Sequence, residues 1–213
     1  MAAKKATKKA AESEPLKLFY IFYNKERWDN WLSTLRDADF EVDPAKEELP
    51  GGFQTLNNFS EDITVSVLKI VKLFQNKRFS KEETLDKMGQ VETIVMTETP
   101  EGELGELIEW VQLSKLVLFA SCRKFVDGDF DKDIKVHVKK GKELIGKDDN
   151  EGALVEATHI GASVIAGASC CGKYVKDDVE QPTLFDEWLI ECERMNEAMN
   201  SLKDFDETTG EDD

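Results

Sequence analysis

Apolar residues recur three and four positions apart along most of this chain, the spacing that lines one face of an α-helix. Asn24 is placed to cap a helix carrying Trp28, Trp31, Leu32 and Leu35 on one side. That helix should stop near Asp43-Pro44, because the residue before a proline avoids helical geometry. Pro50-Gly51-Gly52 reads as a loop. Ser60, with Glu61 and Asp62 behind it, opens a second helix with Ile63, Val67, Ile70, Val71 and Phe74 in register. Ser80 and Glu83 form a capping box ahead of Leu85, Met88 and Val95. A break at Thr99-Pro100-Glu101-Gly102 precedes the strongest pattern, from about Glu103 to Val126. There Leu104, Leu107, Ile108, Val111, Leu118, Cys122 and Phe125 share a stripe, and Leu116-Val117-Leu118-Phe119 adds apolar residues on the other faces. A helix apolar all round is buried, so this one is expected to be central.

Two further helical patterns, near Ile134–Ile145 and Ala153–Gly172, are joined by residues 146–152. A last one, Thr183 to Leu202, presents Phe185, Trp188, Leu189, Cys192, Met195 and Met199. The expected fold is all-α: a single bundle of about six to seven helices over residues 16–202. Residues 1–15, a basic arm, and 203–213, an acidic tail, carry no apolar face and are expected to be disordered. Leu16 to Tyr23 departs from the helical pattern; its aromatic and β-branched residues suit a short strand or an extended docking segment. Gly141 to Gly161 resembles one tetratricopeptide-like helical hairpin, although an array needs at least about three copies to bury a core.

At 213 residues and 40% hydrophobic content the chain can fill the core of one large domain. Its net charge of −16 repels phosphate backbones, which makes the body a poor nucleic-acid binder. No run of about 18 apolar residues exists to cross a membrane, and no apolar signal core follows the first lysines. The expected location is the cytoplasm. Cys122, Cys170, Cys171 and Cys192 fall inside apparent helices without disulfide or zinc spacing, which suits reduced core thiols; Cys170-Cys171 is also weighed as a redox pair.

Catalytic motifs start and then break. Gly167 to Lys173 follows a phosphate-binding loop for seven positions, but Tyr174 stands where a magnesium-holding Ser or Thr is required. The glycines and alanines at 161, 162, 166, 167, 168 and 172 better serve the close approach of two helices. Asp127, Asp129, Asp131 and Asp133 alternate as in a calcium loop, with Lys132 at the glycine position and Val138 at the glutamate position. Capping of the next helix accounts for them more simply. Glu156 and His159 are half of a di-iron helix signature, and His137 lacks the matching glutamate. No nucleophile elbow appears. The chain is therefore expected to be no enzyme, and no cofactor or metal is assigned.

Two segments remain as candidate contact sites. Phe19, Tyr20, Phe22 and Tyr23 cannot all face one core, and with Trp28 and Trp31 they form the expected surface for a protein partner or self-association, the alternative being a segment sandwiched between helices and buried on both sides. Lys4, Lys5, Lys8 and Lys9 offer an alternative, a nucleic-acid contact confined to residues 1–10 that tethers an accessory factor of nucleic-acid machinery. The stretch Phe22-Tyr23-Asn24-Lys25-Glu26-Arg27-Trp28-Asp29-Asn30-Trp31-Leu32, with Leu118-Phe119-Ala120-Ser121 and the acidic end, resembles an uncharacterised archaeal family of acidic helical proteins. The resemblance implies archaeal cytoplasm and no site residues. A non-catalytic helical adaptor or scaffold is the leading functional expectation.

Overall fold

The computed structural model describes residues 22–45, 48–169, 174 and 182–205. Among them run seven α-helices and no strand: α1 (Lys25–Arg36), α2 (Gly51–Gln75), α3 (Lys81–Val95), α4 (Glu103–Asp127), α5 (Ile134–Ile145), α6 (Asn150–Ile165) and α7 (Leu184–Ser201). The all-α bundle is as the periodicity requires. The basic arm, Phe19, Tyr20, Cys170, Cys171 and residues 206–213 of the tail lie outside the described residues.

Side-chain caps set most helix starts. Asn24 accepts the Arg27 N–H at 2.8 Å. Ser80 and Glu83 close their box in both directions, at 3.2 and 2.7 Å, and Thr183 with Asp186 forms a second box on α7. Asp133 caps α5 and Asp149 caps α6. Each supplies an acceptor to N–H groups that have no partner inside the helix.

Three boundaries differ from the sequence reading, each for a local or tertiary reason. α1 ends at Arg36, well before Pro44. The chain then bends so that the Asp39 carbonyl accepts the Gly52 N–H at 2.8 Å. α2 begins at Gly51, which makes Pro50-Gly51-Gly52 a helix start and puts Ser60 in its interior. Gly52 is required there, because a Cβ would collide with the Asp39 carbonyl. α6 stops at Ile165 and not near Gly172. Gly167 takes φ 93°, and the N–H groups of Gly167 and Ala168 return to Val164 and Ser163, the hydrogen-bond pair of a Schellman stop.

α4 is central, packing against α2, α3, α6 and α7. α6 packs between α5 and α4 and also meets α7, while α1 lies on α2 and α3. α5 and α6 form the expected hairpin. Gly161 brings the α6 backbone onto Ser121 of α4, where any Cβ would meet the Ser121 hydroxyl, so close packing holds at this glycine, whereas Gly167 has open space around it and ends the helix. Phe59, Ile63, Ile70, Ile108, Leu118, Ile160, Phe185 and Leu189 are fully buried. The exception to the buried reading of α4 is its N-terminal half, where Trp110, Leu113 and Leu116 face outward. No described helix is long and apolar enough to cross a membrane.

Candidate functional site

The described residues of the expected aromatic surface are largely interior. Phe22, Tyr23 and Trp28 are 7, 6 and 2% exposed. Trp28 packs on Phe59 with ring centres 5.3 Å apart, and Phe22 meets the Phe79 edge at 6.1 Å. Trp31 is half-buried over the same Phe59 and donates its Nε1–H to Asp62 at 2.8 Å. Arg27 binds both oxygens of Asp62 and lies over the Tyr23 ring. Burial and then the Asp62 charge push the Tyr23 phenol well above its ordinary range. Helices α2 and α3 cover this set, so Phe22, Tyr23 and Trp28 clamp α1 to the bundle and leave no free face. Sequence spacing alone could not reveal that cover.

A fully buried ion pair lies at the meeting of α2, α4 and α7. Lys115 and Glu191 are both 0% exposed. The Lys115 Nζ donates to Glu191 Oε1 at 2.8 Å, Glu191 Oε2 at 2.7 Å and Thr64 Oγ1 at 2.8 Å, which uses all three of its protons. Desolvation pulls the lysine below its ordinary value, and the Glu191 charge opposes that pull. Thr64 also lines a recess of about 200 Å³ with Arg194 and Glu61. Arg194 is engaged inside the protein, donating to Asn57 at 2.9 Å and lying 3.7 Å from Glu191. The arrangement joins three helices and presents no unspent donor of Lys115 to a ligand. Cys122 is free and buried, and burial raises its thiol well above the usual value.

The residues weighed as metal ligands do come together, through internal hydrogen bonds. His137 on α5 and His159 on α6 stack with ring centres 4.4 Å apart and planes 3° from parallel. His137 Nδ1 and Glu156 Oε2 are 2.5 Å apart. His159 Nδ1 accepts the Asp131 N–H at 3.0 Å, which places its own proton on Nε2. Burial, then the charges of Lys124 and His137, hold His159 below its ordinary value of 6.5. His137 Nε2 is buried without a hydrogen-bond partner, and Asp131 Oδ2 stands 3.8 Å away. Of the alternating aspartates, Asp127 pairs with Lys81 and Asp133 caps α5. Among the described residues no three His, Cys, Asp or Glu side chains are arranged to hold a metal ion. The cluster ties the α4–α5 connection to α6.

The outward face of α4 is what the sequence reading passed over. Trp110, Leu113 and Leu116 are 42, 44 and 36% exposed and follow one another at three-residue steps. Leu113 and Leu116, with Met96, Glu109 and Gln112, line an open groove of about 400 Å³ between the end of α3 and α4, and Trp110 lies one three-residue step before Leu113 on the same helix. Gln112 Nε2 donates to the Val95 and Thr97 carbonyls, both at 2.8 Å, which fixes the groove floor. Trp188 Nε1 donates to the Leu113 carbonyl at 3.0 Å from the core side. The signal was present as three large apolar residues flanked by Glu106 and Glu109. It was read as part of a helix buried on every side.

A family model described as an uncharacterised protein conserved in archaea (DUF2150) matches residues 21–208. No curated protein and no solved structure matches the chain.

Proposed function

This chain belongs to that archaeal family of uncharacterised proteins, and from this premise we propose that it is a non-catalytic helical interaction protein of the cytoplasm. The observation that supports the reading is the apolar stripe Trp110–Leu113–Leu116 left uncovered on the central helix. Isolated exposed leucines are ordinary, whereas a tryptophan and two leucines in one row beside a groove are the pattern of a partner site. Tryptophan is among the residues that most often anchor interfaces.

Affinity purification from native archaeal extract tests this, with and without nuclease, using the wild-type chain and Trp110→Ser/Leu113→Ser. The expected result is a set of protein partners that survives nuclease and disappears with the double variant, whose melting temperature stays near wild type. Equal capture by both chains overturns the reading. Partners lost on nuclease treatment point instead to a nucleic-acid tether through Lys4, Lys5, Lys8 and Lys9.

A further inference from the structure

The charge around the α4 groove restricts what can fill it. No Lys or Arg occurs between Met88 and Ser114, while that stretch holds Glu98, Glu101, Glu103, Glu106 and Glu109, along with Glu92, which Arg123 binds. Glu106 and Glu109 are exposed and sit on α4 beside Trp110 and Leu113. The groove thus offers apolar anchors inside an acidic margin. Its floor is held by Gln112 and by the Trp188 bond to the Leu113 carbonyl. Its wall includes Met96, a side chain that adapts to different apolar shapes.

Resting on the interaction reading above, we propose that the groove receives a basic amphipathic helix of a protein partner, apolar residues against Trp110, Leu113 and Leu116 and lysines or arginines against Glu106 and Glu109. Leu113 and Leu116 in a groove between two helices, with Trp110 one step further along α4, suit the helix-in-groove mode. Among the described residues there is no strand to offer an edge to an extended peptide. Nucleic acid and anionic lipid surfaces carry phosphates that the same carboxylates repel. A second copy docking by this face would bring identical acidic margins together, since a two-fold interface pairs one patch with itself. Because the floor is fixed before binding, little ordering cost falls on the protein side.

The test uses the full chain and three synthetic peptides of about 18 residues, long enough to hold a helix. One is amphipathic in leucine and lysine, one is the same with glutamate for lysine, and one has the leucine–lysine composition scrambled. Calorimetry should show the first binding at least about tenfold more tightly than the other two, with binding weakened by salt. Trp110→Ser/Leu113→Ser should abolish it, and Glu106→Gln/Glu109→Gln should weaken it about tenfold at low salt. Binding that survives Trp110→Ser/Leu113→Ser, or equal binding of the scrambled peptide, reduces the effect to general charge attraction and overturns the proposal. Tight binding of the glutamate peptide reverses the charge assignment, and a concentration-dependent dimer lost in the double variant assigns the groove to a second copy. If extract partners depend on Trp110 and Leu113 while no basic peptide binds, the interaction reading stands and this occupant falls.

Discussion

Lys115 has exchanged water for three hydrogen bonds, and its position shows how a buried charge specifies contacts without adding much stability. A single substitution strands the other charge, whereas replacing both removes the desolvation cost along with the attraction. Lys115→Met should therefore cost about 3–5 kcal/mol in chemical denaturation, and Lys115→Met/Glu191→Leu should recover most of that loss. A double variant no better than the single one would show that the pair contributes net stability. His159 gives a pH dependence whose sign is fixed by its lowered value. As pH falls below about 6.5 the unfolded chain takes up a proton before the folded imidazole does, so the native state loses stability. Above that pH the contribution is complete. Melting temperature followed from about pH 7.5 to about pH 5.5 should decline less steeply in His159→Gln, whose amide can still accept the Asp131 N–H. Parallel curves for the two proteins would remove His159 from the account.

At the scale of elements, α4 is fastened on its inner side and left open on its outer side. Lys115 sits two residues from Leu113, which at 3.6 residues per turn is nearly the opposite face. The same helix thus carries the buried ion pair and the exposed stripe. Its contact with α6 depends on Gly161. Alanine has the higher helix propensity, worth about 1 kcal/mol, yet its Cβ would meet the Ser121 hydroxyl and the Met195 methyl. Gly161→Ala should consequently destabilise the protein by about 1–3 kcal/mol, as overpacking does. An unchanged or raised melting temperature would mean that the two helices separate at little cost. Ser80→Ala, which removes an exposed capping box, should lose only about 1 kcal/mol and leave the groove intact.

Over the whole molecule the dominant quantity is the charge of −16. Such a body repels itself, and screening shortens the range of that repulsion to about 8 Å at physiological ionic strength. Raising sodium chloride to about 0.5 M should increase the melting temperature, opposite to its expected effect on basic-peptide binding. A melting temperature that falls with salt would mean that native ion pairs such as Arg27–Asp62 and Arg123–Glu92 outweigh the general repulsion.

Helix identity, the capping box at Ser80, and the location of α3, α4, α5 and α7 were legible in the sequence, because they depend on residues within a few positions of one another. The start of α2 was not, since Gly51-Gly52 signals a loop locally and becomes helix only where Asp39 approaches the bare backbone of Gly52. Burial of Phe22, Tyr23 and Trp28 likewise required α2 and α3 to lie over them. Lys115 with Glu191, and His137 with Glu156 and His159, are partners separated along the chain, and no spacing rule joins them. Periodicity showed that α4 is apolar on most of its circumference. Only the placement of α2, α3, α6 and α7 decided which part of it those helices cover, and left Trp110, Leu113 and Leu116 in water.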